Sequence, residues 1–244
     1  MTKAHLLALG AVALALAGCD KGADNAAAPA KISGPIAPPA GQDWRNMVSR
    51  TADGFVMGNP NAPVKLVEYG SRSCPHCAKF DEEGAPQLRD KYVASGRVSY
   101  EFRDYAIHGP IDVPAIILGR CGDPSTYFPM LDQMMRNQNN FLSKASSLDQ
   151  AKLTPIQNDP VKLASVLAEQ LGYLDFVRQR GVSESAARAC LADKSAYDAM
   201  VKTMQKANAL PDFVGTPTFL INDQKLDNVG TWEQLEPKLK EAGA

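Results

Sequence analysis

The stretch YGSRSCPHCAKFDEEG, residues 69–84, closes one apolar run and opens a helical one. The run before it, VKLVEYG (64–70), is rich in β-formers and bounded by Pro63 and Gly70, which suits a central strand. After the two cysteines, Phe80, Leu88 and Tyr92 share one helical stripe, with Gly84 in register. Pro86 is expected to kink this helix, and Gly84 to ease the bend. RVSYEFRDY (97–105) then alternates Val98, Tyr100 and Phe102 toward one face, the pattern of a second strand. Strand, helix and strand make a βαβ unit whose two strands should lie parallel.

Working outward, residues 43–52 read as a short helix, GFVMG (54–58) as a brief strand and NPNAP (59–63) as a turn. From about 107 to 206 helical spacing dominates, punctuated by proline, glycine and serine. TFLIN (218–222) restores the β pattern. A turn at Asp223–Gln224, the run KLDNVG and a helix over 231–242 follow. The order predicts an α/β, thioredoxin-like fold with an inserted all-helical domain. Its core would be residues 51–106 plus 207–244, and its insert residues 107–206.

The N-terminus is of another kind. Lys3 precedes the apolar run AHLLALGAVALALA (4–17), followed by Gly18 and Cys19. That is the build of a secretory signal over residues 1–18. Fourteen helical residues reach only ~21 Å, short of the ~30 Å core of a bilayer. Leu16-Ala17-Gly18-Cys19 resembles the bacterial lipoprotein processing box, which would make Cys19 the lipidated N-terminus. DKGADNAAAPAKISGPIAPPAGQ (20–42) is rich in Ala, Pro and Gly, so residues 19–50 are expected to serve as anchor and flexible tether. Asp20 resembles an inner-membrane retention signal. The expected location is the periplasm, on the inner membrane.

A net charge of −1 offers no basic field for nucleic acid. Setting Cys19 aside leaves Cys74, Cys77, Cys121 and Cys190, and an even number in an oxidising compartment favours disulfides. Three pairings are open. For Cys74 and Cys77, three roles compete. A zinc site needs about four N or S ligands. Of three histidines, His5 leaves with the signal, His76 lies between the cysteines and His108 lacks a partner at ligand spacing. No metal or cofactor is expected. A structural staple fits poorly, because so tight a ring is strained and labile. The redox role explains more residues. Cys74 falls at a helix N-terminus, where the dipole favours thiolate, and Pro75 suits the first turn. His76, when protonated, adds positive charge nearby. Cys77, one turn inside, should be buried and less reactive. A lowered Cys74 pKa stabilises the reduced form and makes the disulfide more oxidising.

GNPNAPVKLVEYGSRSCPHC, the strand ending FRDYAIHGP, and VGTPTFLIN together resemble the DsbA family of periplasmic thiol:disulfide oxidoreductases, over roughly residues 53–244. The resemblance implies that Pro217 is a cis-proline facing the active pair, preceded by Thr216. Backbone around those two residues would pair with an extended substrate segment. It also matches Glu68 to a buried acid beneath the cysteines, able to relay a proton to or from Cys77. A plain charge at a strand end is the alternative for Glu68. Cys121 and Cys190 would correspond to a second disulfide found in some relatives, with two buried thiols as the alternative. His108 reads as a hinge or packing residue, and Met134 and Met135 as core or groove fillers.

These readings predict an enzyme that oxidises thiols of unfolded exported proteins through a mixed disulfide at Cys74. A membrane reoxidant resembling DsbB would restore it. A reductase or isomerase is the near alternative; isomerases of the superfamily usually carry an N-terminal dimerisation domain where this chain has a tether, so a monomer is expected. A membrane-anchored thiol or metal carrier is a more distant reading.

Overall fold

The computed structural model describes residues 34–244. The expected signal peptide, Cys19, Asp20 and the first part of the tether lie outside them.

Six strands form one sheet in the order β1-β2-β4-β3-β5-β6. β1 is Val48–Arg50, β2 Phe55–Gly58, β3 Val64–Gly70, β4 Val98–Asp104, β5 Thr218–Ile221 and β6 Gln224–Lys225. β3 and β4 run parallel, from Val64 opposite Val98 to Gly70 opposite Asp104, and the other pairs are antiparallel. In β3 only Lys65 is exposed, as befits a strand covered on both faces.

The crossover is a helical run in three parts: α1 (Pro75–Glu83), α2 (Ala85–Gln87) and a π turn over Leu88–Val93. Pro86 has no N–H to give the ladder, and the helix breaks at Gly84 and widens beyond it. A Cβ on Gly84 would stand 2.8 Å from the Phe80 ring, so glycine lets that ring fold across the break.

Residues 43–52 depart from the expected helix. Asp43 caps a single 3₁₀ turn at Trp44–Asn46, and the chain then becomes β1, paired with β2. Packing decides this: Trp44 is buried and its Nε1–H donates to Ile36 O at 2.7 Å. Nor does a free tether extend to residue 50. Ile36 N–H donates to Ser95 O at 2.7 Å, and Arg97 Nη1 donates to Gly34 O at 3.0 Å.

Between β4 and β5 every regular element is helical: α3 (Val113–Gly119), α4 (Tyr127–Arg136), α5 (Gln138–Ala145) and α6 (Gln150–Leu153) come first. α7 (Pro160–Gln170), α8 (Tyr173–Arg178), α9 (Glu184–Ala192) and α10 (Lys194–Asn208) follow. α4 belongs to two cores at once. Its Phe128, Leu131 and Met135 join the sheet core, whereas Met130 and Met134 join the helical one. The β5–β6 hairpin turns on Asn222 and Asp223, both at positive φ (49° and 66°), one residue earlier than the sequence pattern placed it. α11 (Trp232–Glu241) closes the chain behind a capping box of Thr231 and Gln234.

Candidate active site

β3 ends at Gly70, and residues 71–73 carry the chain to Cys74, the N-cap of α1, with Pro75 in its first turn. An N-cap residue leaves its side chain beside the unpaired N–H groups of the first turn, where negative charge is favoured. Cys74 and Cys77 are free thiols, and both are buried. Their surroundings differ. Cys74 Sγ lies 3.2 Å from Thr216 O, whereas Cys77 Sγ sits beneath the helix and accepts from Ser71 N–H at 3.4 Å. Pro75 and His76 are exposed above them.

The two sulfurs are driven apart in acidity. Cys74 is lowered to about 5, first by a hydrogen bond from the Cys77 thiol. Burial opposes this, and the Thr216 side chain and the N–H groups of Cys77 and His76 add to it. Cys77 is pushed well up, first by burial and then by its bond to Cys74 and the nearby Glu68 charge. The sequence assigned the acidity of Cys74 to the helix dipole and the His76 charge. In the folded protein the Cys77 thiol comes first, and the first-turn N–H groups of Cys77 and His76 add the helix-terminus effect to it.

Glu68 lies inside β3, 1% exposed, and accepts from Tyr100 Oη at 2.6 Å. Burial raises its carboxyl to about 8, with the tyrosine bond pulling the other way. It therefore holds a proton at neutral pH. Gly70 leaves it room, since a Cβ there would come within 2.9 Å of Glu68 Oε1.

Opposite Cys74, the Thr216–Pro217 peptide is cis. Thr218 Oγ1 donates to Gly215 O at 2.6 Å across the same turn. A cleft of about 600 Å³ opens here between His76, Val214, Thr216, Pro217 and Asp227. Val214 is 96% exposed, an apolar side chain at its rim.

Several residues that sequence reasoning passed over hold the 71–74 loop. Arg72 is fully buried: its Nε donates to Asp104 Oδ1 at 2.7 Å, and its Nη1 lies 3.4 Å from Met134 Sδ. Asp104 also accepts from Arg120 Nε and Tyr127 Oη, each at 2.9 Å. Burial would raise Asp104, but the two guanidinium groups overcome it and hold the carboxyl below its usual range. Gln138, from α5, donates from Nε2 to both Arg72 O (3.1 Å) and Cys74 O (3.0 Å). His108 Nδ1 is 2.6 Å from Ser73 Oγ, and His108 N–H donates to Asp112 Oδ2 at 2.9 Å. That residue, read as packing, thus touches the loop itself.

Elsewhere, Cys121 and Cys190 form a disulfide with Cα atoms 5.9 Å apart, tying the end of α3 to α9. Among the described residues, no cluster of three or more His, Cys, Asp or Glu side chains could hold a metal ion.

A family model described as thioredoxin matches residues 50–241. The chain belongs to the thioredoxin family. A Rickettsia bellii protein named a protein-disulfide oxidoreductase is 28% identical over 175 residues, 71% of this chain and 59% of that one. The chain thus spans somewhat over half the length of that relative. Disulfide bond formation protein D of Bacillus subtilis is 20% identical, over 76% of this chain and 75% of its own. Among solved structures, a protein-disulfide isomerase from Novosphingobium aromaticivorans superposes with a TM-score of 0.72 at 27% identity, covering 79% of this chain and 99% of that chain. α-DsbA1 of Wolbachia pipientis shares the fold, with a TM-score of 0.61 at 18% identity over 83% of this chain and 96% of that chain.

Proposed function

We propose that the protein donates a disulfide from the Cys74–Cys77 pair to exported proteins bearing free thiols. The observation that carries this is the placement of the two sulfurs: Cys74 at the N-cap of α1 with its Sγ 3.2 Å from Thr216 O, and Cys77 buried beneath the helix. A substrate thiolate attacks Cys74 Sγ of the oxidised pair, and the bond to Cys77 breaks. Cys77 leaves as a thiolate in a buried site and takes a proton, with Glu68 the donor. A second substrate thiolate then attacks the substrate sulfur of the mixed disulfide, and Cys74 departs as a stable thiolate. Two electrons pass from two substrate thiols to the protein. The backbone around Thr216 and Pro217, with the cleft beside it, would hold the substrate segment extended. Such pairing reads little sequence, so a broad substrate range follows.

The same reading has the chain exported, lipidated at Cys19, working as a monomer and reoxidised by a membrane partner resembling DsbB. The mass of the mature N-terminus tests the lipid. The deciding experiment is the equilibrium reduction potential of Cys74–Cys77 in glutathione buffers. A value near about −120 mV supports a dedicated oxidase, and one near about −270 mV describes a reductant and overturns the reading. The isomerase name of the Novosphingobium structure favours a second reading, disulfide isomerisation. Reactivation of a scrambled disulfide protein, compared with oxidation of a reduced one, separates the two.

A further inference from the structure

The loop between β3 and α1 meets the start of the helical insert through Ser71, Ser73, His108 and Asp112. Ser71, Ser73 and Asp112 are buried, whereas the His108 side chain is 46% exposed. Their bonds can be followed proton by proton. His108 N–H donates to Asp112 Oδ2 at 2.9 Å, and Ser71 Oγ lies 3.2 Å from the same oxygen. An oxygen that takes a backbone N–H is an acceptor, and Asp112 Oδ1, which has no hydrogen-bond partner, offers a proton nothing to point at. Burial pushes this carboxyl up, and the donors around it pull it back. Asp112 is therefore a carboxylate here, and the single O–H of Ser71 is given to it. Ser71 Oγ can then only accept from Ser73, whose Oγ is 3.0 Å away and whose N–H also donates to it at 3.1 Å. The O–H of Ser73 is thereby used, so at its 2.6 Å contact with His108 Nδ1 it accepts. Nδ1 carries a proton. The chain of bonds runs one way, from His108 through Ser73 and Ser71 to Asp112, and the N–H of Ser71 donates to Cys77 Sγ at 3.4 Å.

We propose that His108 is a positioning residue for disulfide exchange: it heads this chain and, through Ser73 and Ser71, keeps the Ser71 N–H aimed at Cys77 Sγ. The inference rests on the exchange chemistry proposed above and adds a half-exposed residue to it. When a client thiolate bonds to Cys74 Sγ, the Cys74–Cys77 bond breaks and its electron pair goes to Cys77 Sγ. A buried thiolate needs a donor at that moment, before any proton arrives, and an N–H already in place meets the charge without rearrangement. Ser71 lies one residue past the end of β3, where the pairing with β4 has stopped at Gly70. Its hydroxyl, bonded on both sides, adds a hold that the sheet no longer gives. The imidazole closes the outer end of that hold and Asp112, the N-cap of α3, its inner end.

The test is the rate at which glutathione reduces the oxidised protein, expressed per glutathione thiolate, together with nitrogen NMR of the histidine rings. H108A should slow reduction by roughly three- to tenfold, the worth of one such bond. Asparagine can place an N–H where Nδ1 stood, and glutamine only where Nε2 stood, so H108N should restore the rate and H108Q should not. S73A cuts the chain one link further in. It should slow the reaction about as much as H108A, and the double variant no more than either, as links of one chain do. An H108A rate equal to the wild type, rescue by glutamine but not asparagine, or additive losses in the double variant overturns the proposal. If H108A does not fold, the wild type still decides: Nδ1 of His108 should be protonated, and a bare Nδ1 with the proton on Nε2 is the contrary result. Failure of the wild type to exchange disulfides at all would instead overturn the proposed function, while the protonated Nδ1 would stand.

Discussion

Asp104 and Glu68 are both fully buried carboxyls, on adjacent parallel strands, and they hold opposite protonation states. Asp104 sits among Arg72, Arg120 and Tyr127 and stays ionised despite its burial. Glu68 has a tyrosine hydroxyl and no cation bonded to it, and it keeps its proton to about pH 8. The first cluster has its charges matched and serves as a clamp, fixing Arg72 two residues before Cys74. The second is under-compensated, which is what the proposed role of Glu68 as a proton donor requires. Burial alone fixes neither outcome; the presence or absence of a guanidinium does.

Breaking the clamp should have the largest effect. D104N leaves two buried guanidinium groups without their counter-ion and should cost about 3–5 kcal/mol in chemical denaturation. A loss under about 1 kcal/mol would mean that the cluster is not a clamp. Glu68 should respond with the opposite sign. Its folded value lies above the 4.5 of an ordinary glutamate, so ionisation works against the fold from pH 4.5 up to about 8. E68Q should stabilise the reduced protein by about 2–3 kcal/mol at pH 7 and by nothing below pH 4.5, while slowing exchange.

Cys74 sharpens the contrast because its shift is downward. Its contribution to the reduced fold is complete above about pH 9 and is lost as the pH falls through about 5. Relative to the oxidised protein, which has no Cys74 thiolate, the reduced protein should lose about 1–2 kcal/mol of stability between pH 7 and pH 4 in paired melts. Gln138 carries the smallest effect. Q138A removes the donor shared by Arg72 O and Cys74 O, and should cost about 1 kcal/mol and slow exchange severalfold.

The legibility of these features followed their range along the chain. β3 and the start of α1 were readable to the residue, because VKLVEYG and Cys-Pro-His-Cys carry their own local signals. Pro86 gave the break in the helix, though not the π turn after it. β1 was missed because three residues hold no period, and only pairing with β2 makes them a strand. At the site, Cys74, Cys77 and Glu68 stood out by spacing and resemblance. Arg72 did not, since its meaning lies in Asp104, 32 residues away, and Gln138 reaches the loop from 64 residues beyond Cys74. The order of causes at Cys74 was likewise hidden. Residue types indicated a charged histidine, whereas the fold brings the Cys77 thiol onto the sulfur.

The ends of the sheet have a consequence of their own. One border is β1, three residues long and partly polar, and the other is β6, two residues long. Unpaired strand borders are templates for other extended chains, and unfolded polypeptides are such chains. On the function proposed above, a client strand would have to approach the loop at Thr216 and nowhere else. Trimming both borders to a few residues leaves little for such a chain to zip onto, so contact there would stay brief and the sheet would not seed aggregates of the proposed clients.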